Sequence, residues 1–270
     1  MAEALTPRPA ATIALVREAR PGFEVLMLKR NLNSGFVAGA HVFPGGAVDA
    51  EDDIDAAHAL CSNVTDAQAS ARLSLERGGL AYFVAAIREC FEEAGLLFAY
   101  AANGTMLTLD DDEVAQRYTG YRHAMHERRE TFVGMCAQER LCLAADQLTY
   151  FGHWITPVGA PRRYDTRFFF AIAPQGQSPL HDDHETIAHD WLKPLDALER
   201  HQRGEIKMRG PTVKTLEMFA RADSIAALCT ALRTKSDIQA IQPVFSRRGW
   251  LIPGDPGYDE ALARGEGEWK

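Results

Sequence analysis

The feature that most constrains this chain is a set of three glutamates, Glu89, Glu92 and Glu93, within the segment 80–96. Residues three and four positions apart share one face of a helix, so the three carboxylates are expected to lie together. The apolar residues of the segment recur with the helical period on the opposite side. Gly95 is predicted to end the helix, because glycine readily adopts the left-handed conformation that closes one. We therefore predict a helix that is anchored on its apolar side and turns its acidic side toward solvent.

Three like charges at this spacing repel one another, which disfavours a purely structural purpose. Hard divalent cations such as Mg²⁺ and Mn²⁺ bind carboxylate oxygen and turn that repulsion into attraction. Arg88 precedes Glu92 by four residues, a spacing that allows an ion pair to fix one carboxylate. The alternative interpretation is the solvated face of an ordinary amphipathic helix, where such charge pairs are common.

A glycine-rich segment upstream, Phe-Pro-Gly-Gly at 43–46, favours the metal-site interpretation. Glycine lacks a Cβ atom, so extended backbone can approach a ligand closely there. Together with the run Arg-Glu-Cys-Phe-Glu-Glu-Ala-Gly-Leu at 88–96, this segment resembles the signature of the Nudix hydrolases, which cleave nucleoside diphosphates linked to another moiety. In that family the arginine follows the glycine by 14 residues, whereas here it follows Gly46 by 42. The difference indicates an insertion of about 28 residues, roughly Asp53 to Leu80.

A narrower resemblance, to the coenzyme A diphosphatase subgroup of that superfamily, rests on the insertion and on three further segments. These segments are 35–46, 154–168 and 249–255. Two departures stand beside them: Asp52 replaces the glutamate in the middle of the motif, and Gly35 stands where other Nudix coenzyme A diphosphatases carry an arginine. The resemblance implies hydrolysis of coenzyme A or an acyl-CoA to 3′,5′-ADP and phosphopantetheine. ADP-ribose, NADH or another dinucleoside pyrophosphate is the alternative substrate.

The resemblance also implies a fold and a site. We expect an α/β protein, a Nudix-type α/β/α sandwich with a mixed sheet and helical insertions. Bound Mg²⁺ or Mn²⁺ would neutralise the pyrophosphate oxygens and lower the pKa of water. In several Nudix enzymes a carboxylate from a loop outside the motif serves as general base or extra metal ligand, and Glu185 is the candidate for this role here. The expected metal ligands are Glu89, Glu92, Glu93 and the Gly46 carbonyl, and the expected catalytic residues are Arg88, Glu92, Glu93 and Glu185.

Basic residues are the candidates for contact with substrate phosphate, because a planar guanidinium grips phosphate oxygens in bidentate fashion. The predicted substrate-binding residues are Arg162, Arg163, Arg167, Lys29 and Arg30. The alternative for the run at 162–167 is a basic loop that balances an acidic protein. The histidines and acids at 181–189 are interpreted as a solvated turn rather than a metal cluster. Trp154, Trp191 and Trp250 are assigned to core packing, with stacking on an adenine as the alternative.

The composition limits the classes of protein to which this chain can belong. The chain has 270 residues, is 46% hydrophobic and carries a net charge of −8. This charge argues against wide contact with nucleic acid, whose backbone is neutralised by Lys and Arg. We see no secretory leader or membrane span, and five cysteines without a Cys-x-x-Cys pair indicate reduced thiols in a cytoplasm. The expected partner is a small nucleotide; nucleic acid and membrane are not expected, and a homodimer stays open.

The predicted organisation is a Nudix hydrolase domain at 1–205 followed by helices and an extended segment at 206–270 that pack on it. Inserted helices are expected at about 53–80 and 110–147. Apolar runs predict a strand pair at 11–16 and 23–28, a strand beginning at 96–98, further strands at 148–156, 168–172 and 186–191, and a helix at 194–201.

Two rival functions belong to other classes. A catalytically silent Nudix module would bind a nucleotide and report it to a partner, but such proteins usually lose a motif carboxylate, and here all are present. A Nudix-fold isomerase would need its own catalytic cysteine, and Cys90 is predicted to face the core. Both are therefore less favoured than a hydrolase.

Overall fold

The computed structural model describes residues 5–31, 38–181, 186–246 and 249–264. Its helices are α1 (Asp55–Ala59), α2 (Asp66–Leu73), α3 (Gly79–Ala94), α4 (Asp112–His126), α5 (Phe132–Gln138), α6 (Pro194–Gln202), α7 (Gly210–Phe219), α8 (Ile225–Arg233) and α9 (Tyr258–Arg264). Its strands are β1 (Arg8–Glu18), β2 (Phe23–Arg30), β3 (His41–Val42), β4 (Gly45–Ala47), β5 (Ala99–Tyr100), β6 (Cys142–Leu143), β7 (Thr149–Ile155), β8 (Tyr164–Ile172), β9 (Thr186–Leu192), β10 (Ala240–Ile241), β11 (Val244–Ser246) and β12 (Gly249–Leu251).

A mixed eight-stranded sheet forms the centre of the protein. Its main path runs β10-β7-β8-β1-β2-β3, while β4 pairs with β1 and β9 pairs with β2. Strands β1 and β8 are parallel, whereas β1 pairs antiparallel with both β2 and β4. The strand pair predicted near the N-terminus is confirmed, and so is the mixed sheet of an α/β protein.

Each face of the sheet carries its own apolar core. On one face, α3 packs with α1, α2, α4 and α5. There Phe83 lies against Phe169 with ring centroids 4.6 Å apart. On the other face, α7 and α8 cover the sheet, and Phe219 contacts Phe151 at 5.6 Å between centroids. Alternate strand residues point to opposite faces, so one sheet supplies both cores. The expected α/β/α sandwich is confirmed.

The acidic helix α3 begins and ends at glycines in the left-handed conformation. Gly78 precedes it with φ +75°, and Gly95 follows it with φ +70°, as predicted for a helix stop. Of its sixteen residues only Glu89 and Glu92 are not buried. The prediction of an acidic side turned toward solvent is wrong for Glu93, which is buried. Strand β4 and the short 3-10 helix Ala50–Asp53 pack against that side.

Helices α1 and α2 lie within 53–80 and helices α4 and α5 within 110–147, and the sequence shows why they form. Thr65 and Gln68 make a reciprocal capping box at the start of α2, and Asp111 caps α4. The segment at 96–98, predicted to begin a strand, lacks strand pairing; only Ala99–Tyr100 pairs, with β6.

The chain after α8 adds one strand to the central sheet and forms a separate hairpin. Strand β10 extends the sheet beside β7, while β11 and β12 form a separate hairpin against which α9 packs. The five cysteines form no disulfide. In the described residues, no helix has the length and apolarity needed to cross a membrane.

Candidate active site

Arg88 is the centre of an ion-pair network on the acidic side of α3. Its Nε and Nη2 atoms donate to the two carboxylate oxygens of Asp52 at 2.8 and 2.9 Å, a bidentate pair. Its Nη1 atom donates to Glu89 at 2.9 Å and to Glu92 at 3.4 Å, and Nη2 also donates to the Ala47 carbonyl at 2.9 Å. The predicted pair between Arg88 and Glu92 is confirmed. The network fixes the side chains of Glu89 and Glu92 relative to strand β4.

The network keeps Arg88 charged although only 8% of it is exposed. Burial by itself lowers the pKa of a guanidinium. The hydrogen bond with Asp52 and the charges of Glu89, Asp52 and Glu92 outweigh burial, so the pKa of Arg88 is raised. Asp52, the residue that replaces the usual glutamate, is 1% exposed and supplies the strongest of these contacts. The shorter carboxylate still reaches the arginine.

Glu93 lies beneath strand β4 rather than in solvent. It is 3% exposed, and one carboxylate oxygen accepts a hydrogen bond from the Gly45 amide at 2.9 Å. Its backbone carbonyl accepts a hydrogen bond from the Thr186 hydroxyl at 3.3 Å. The glutamate is thus held from two sides, by β4 and by the start of β9.

The two glycines of β4 are required by close approach. A Cβ atom on Gly46 would lie 2.5 Å from a carboxylate oxygen of Glu89. At Gly45, whose φ is +153°, a Cβ atom would lie 2.4 Å from the Ala11 carbonyl oxygen. At Gly45 the neighbour is backbone, so no larger residue fits, whereas at Gly46 a larger residue would require the Glu89 carboxylate to move. The glycine pair therefore lets β4 lie directly against the carboxylates.

The donor set fits a hard divalent cation. Carboxylate oxygens of Glu89, Glu92 and Glu93 and the backbone at Gly46 are the oxygen donors that such ions prefer. Over the described ranges, however, no three Asp, Glu, His or Cys side chains are arranged to hold a metal ion by themselves. Small divalent ions are usually held by one or two carboxylates, with water and substrate phosphate completing the shell. The site fits that mode of binding.

A cavity of about 520 Å³ lies on the opposite face of the sheet and reaches Gly45. Its floor is made by strand residues such as Thr12, Thr166 and Phe168, and its outer wall by the C-terminal hairpin. Trp154 and Trp250 stack in this wall, with ring centroids 6.1 Å apart and an angle of 22°. The lining residues are Thr12, Arg30, Val42, Phe43, Gly45, Trp154, Ile155, Thr156, Pro157, Thr166, Phe168, Met208, Arg209, Gly210, Pro211, Thr212, Pro243, Phe245, Gly249 and Trp250.

Gly45 connects the cavity with the carboxylates. It lines the cavity, and its amide donates to Glu93 on the other side of β4. None of the three glutamates is among the residues that line the cavity. Gly45 is therefore the residue through which the cavity wall contacts the acidic side of α3.

Two of the predicted phosphate-binding arginines lie elsewhere. Arg163 is buried and donates to the carbonyl oxygens of Thr156 and Leu5. Arg167 is buried, donates to Asp165 at 2.8 Å and also contacts His153. Neither residue lines the cavity. Their assignment to substrate phosphate stays a prediction.

The other predicted residues are distributed as follows. Arg30 lines the cavity, Lys29 is half-buried in β2, and Arg162 is exposed at the start of β8. Glu185 lies outside the described residues. Burial raises the pKa of the Cys90 thiol, which lies in the core as predicted.

The remaining aromatic and histidine candidates have structural partners. Trp154 and Trp250 contact each other in the wall of the cavity, and Arg17 lies over the ring of Trp191 at 4.5 Å. His181 and His189 lie side by side, with Nδ1 atoms 3.4 Å apart. The pKa of His189 is lowered by burial and by the neighbouring His181.

Sequence reasoning missed Arg209 and Thr212, which line the cavity at the start of α7. The signal was present as Gly210-Pro211 at the beginning of an apolar periodic run, since proline favours the first turn of a helix. What the sequence lacked was the long-range pairing that brings this helix to the cavity.

Comparisons with known proteins agree with the fold and the motif. The sequence profile described as the NUDT19 Nudix domain matches residues 62–219. The acyl-coenzyme A diphosphatase NUDT19 of Xenopus laevis is 28% identical over 273 residues, covering 88% of this chain and 72% of that protein. Its namesake in Gallus gallus is 30% identical over 281 residues, covering 88% and 73%. A crystal structure of a Nudix hydrolase from Alicyclobacillus acidocaldarius matches with a TM-score of 0.63 and 27% identity, covering 86% of this chain and 97% of that one.

Proposed function

The chain belongs to the NUDT19 group of Nudix hydrolases, and from this membership we propose that it cleaves the pyrophosphate bond of coenzyme A or of an acyl-CoA. The products would be 3′,5′-ADP and phosphopantetheine or its acyl derivative. Nudix pyrophosphohydrolases require a divalent metal, and we propose Mg²⁺ or Mn²⁺ for this chain. The relatives named acyl-coenzyme A diphosphatase support the choice of substrate.

The observation that carries the proposal is the approach of β4 to the acidic side of α3. Glu93 is bound to the Gly45 amide, and Glu89 lies against Gly46. Both carboxylates thus lie at the backbone segment that also borders the cavity. A substrate whose larger part occupies the cavity would present its pyrophosphate to these carboxylates.

We assign the metal to Glu89, Glu92, Glu93 and the Gly46 carbonyl. When bound, a divalent ion would stabilise negative charge on the pyrophosphate and lower the pKa of a water molecule. Arg88 is proposed as a positioning residue, because its hydrogen bonds hold Glu89 and Glu92 in fixed orientations. Arg30, in the cavity, is proposed to compensate substrate charge.

The apolar walls of the cavity suit the remainder of the substrate. Trp154, Trp250 and Phe168 provide flat and apolar surfaces that exclude water. Exclusion of water strengthens each electrostatic contact at the adjoining edge of α3. A reducing compartment such as the cytoplasm is proposed because the five thiols are unpaired.

The experiment is to incubate the purified chain and Mg²⁺ with coenzyme A, acetyl-CoA, ADP-ribose and NADH, and to identify the products by mass. Release of 3′,5′-ADP with phosphopantetheine at the highest kcat/KM supports the proposal. AMP released preferentially from ADP-ribose or NADH would contradict coenzyme A as the substrate, but it would still show that the chain hydrolyses pyrophosphate bonds. No cleavage of any of the four, with tight binding of one, would identify a silent nucleotide-binding module instead.

A further inference from the structure

Two histidines from different segments meet beside the end of α3. His181 lies in the loop that follows β8, and His189 is in strand β9. Their Nδ1 atoms are 3.4 Å apart, whereas the ring centroids are 5.6 Å apart and the ring planes are tilted by 46°. Because the two nitrogens are much closer together than the ring centres, the Nδ1 edges of the imidazoles face each other.

The spacing of these two nitrogens is that of two ligands on one metal ion. Zinc binds imidazole nitrogen at about 2.0–2.1 Å in tetrahedral geometry, which places two such nitrogens about 3.4 Å apart. Without a metal, the pair shares one proton, which one Nδ1 donates to the other. At 3.4 Å that hydrogen bond is long, since N–H donors usually lie about 2.7–3.2 Å from oxygen acceptors. A divalent ion between the rings would replace the shared proton, which is released to solvent.

The surroundings of the pair suit a metal ion that arrives from solution. Both imidazoles are partly exposed. The pKa of His189 is lowered, because burial and His181, with a further contribution from Arg17, outweigh the opposite effect of Asp190. The neutral imidazole that results has a lone pair for a metal. Among the residues that the structure describes, no third Asp, Glu, His or Cys side chain completes a metal-binding group, so water is left to fill the other positions.

The two histidines lie on the segments that hold the last turn of α3. The Leu180 amide, next to the first histidine, donates to the Ala94 carbonyl at 2.8 Å. The Thr186 hydroxyl, three residues before the second histidine, donates to the Glu93 carbonyl at 3.3 Å. An ion that joined the two imidazoles would therefore tie together both of these segments around the end of α3.

We propose that His181 and His189 bind one transition-metal ion of the Zn²⁺ class through their Nδ1 atoms. This site differs from the carboxylate site proposed for Mg²⁺ or Mn²⁺, because it uses none of the same ligands and imidazole favours a different class of metal. Two protein ligands with water bind reversibly and more weakly than the four ligands of a structural zinc site. The bound ion stabilises the fold by holding β9 and the loop before it around the end of α3.

The binding test is a calorimetric titration of Zn²⁺ into the metal-free chain in excess Mg²⁺, which competes for the carboxylates. The wild type should bind one equivalent of Zn²⁺ that His181→Gln and His189→Gln each weaken at least about tenfold. The matched control is His123→Gln. This exposed histidine lies three residues before His126 on one side of α4, a spacing that could also attract a metal, and its variant should bind Zn²⁺ like the wild type.

Thermal unfolding measures the effect of the ion on the fold. Zn²⁺ should raise the Tm of the wild type and of His123→Gln, but not that of His181→Gln or His189→Gln. Circular dichroism without metal checks that the variants are folded. An equal rise in all four proteins, or wild-type affinity in both folded variants of the pair, would overturn the inference.

A wild-type crystal soaked in Zn²⁺ gives a measurement that needs no variant. Anomalous density is expected between the two Nδ1 atoms, and density only at other side chains would overturn the inference. These measurements do not depend on hydrolysis of any substrate. Failure of the proposed function would therefore leave the zinc result unchanged, and failure of the zinc site would leave the proposed function unchanged.

Discussion

The amide of Gly45 donates a hydrogen bond to the carboxylate of Glu93 at 2.9 Å, joining residues 48 positions apart in the chain. Because Gly45 also borders the cavity, this contact lies at the junction between the acidic helix and the space for a substrate. The bond holds the buried carboxylate of Glu93 in a fixed orientation next to the proposed site for metal and pyrophosphate.

Glu93→Gln should lower kcat by at least about 100-fold while the protein stays folded. Glutamine keeps an oxygen that can accept from the Gly45 amide, so burial of the side chain does not leave that donor unpaired. It lacks the negative charge that a metal ligand needs. Steady-state kinetics with thermal unfolding provide the measurement, and Glu199→Gln, an exposed glutamate on α6, is the control. Unchanged turnover in Glu93→Gln would contradict the assignment of Glu93 as a metal ligand.

Asp52→Ala should destabilise the protein by about 3–5 kcal/mol, because it leaves the buried charge of Arg88 without its bidentate partner. Asp53→Ala, at the next position and on an exposed side chain, should change stability by less than about 1 kcal/mol. Urea unfolding of both variants measures the difference. Equal and small losses in the two variants would show that Asp52 does not support Arg88.

Gly46→Ala should reduce activity severely, since its Cβ atom would lie 2.5 Å from a carboxylate oxygen of Glu89 and would displace it. The same substitution at Gly120, in the middle of α4 with no atom within 4 Å of the added Cβ, should instead stabilise the protein by about 1 kcal/mol. Activity and unfolding temperature are measured for both. A fully active Gly46→Ala enzyme would contradict the close approach of β4.

Asp165 should make the stability of the folded protein depend on pH in the acidic range. Burial alone would raise the pKa of this carboxyl, but its hydrogen bond with His153 and the charge of Arg167 outweigh burial, so its pKa is lowered. A carboxyl with a lowered folded pKa stabilises the protein above its unfolded pKa of about 3.9, and this stability is lost as pH falls through the folded value. Asp165→Asn should therefore lose stability at pH 7 and show a smaller further loss below pH 4. An identical acid profile in the two proteins would contradict this.

Local patterns in the sequence predicted much of the fold. The helical period of α3, its stop at Gly95 and the apolar run of β8 each depend on neighbouring residues, and each is found in the structure. The burial of Glu93 was not predictable in this way. Periodicity shows which side of a helix is apolar, but the strand that covers the acidic side comes from 48 residues earlier.

The arginines of β8 show a second limit. Extending the predicted strand back from Phe168 to Tyr164 would have placed Thr166 and Phe168 on the cavity face, and Arg167 on the opposite one. Arg209 reaches the cavity only because the chain at 207 pairs beside β3. Such pairings between distant segments depend on the whole fold rather than on any local pattern.

The most direct test of the central claim is a crystal of the protein soaked in Mn²⁺ and measured for anomalous scattering. The account predicts manganese density beside the carboxylates of Glu89, Glu92 and Glu93, at the Gly46 backbone. Density absent from these side chains while another part of the molecule binds the metal would contradict it.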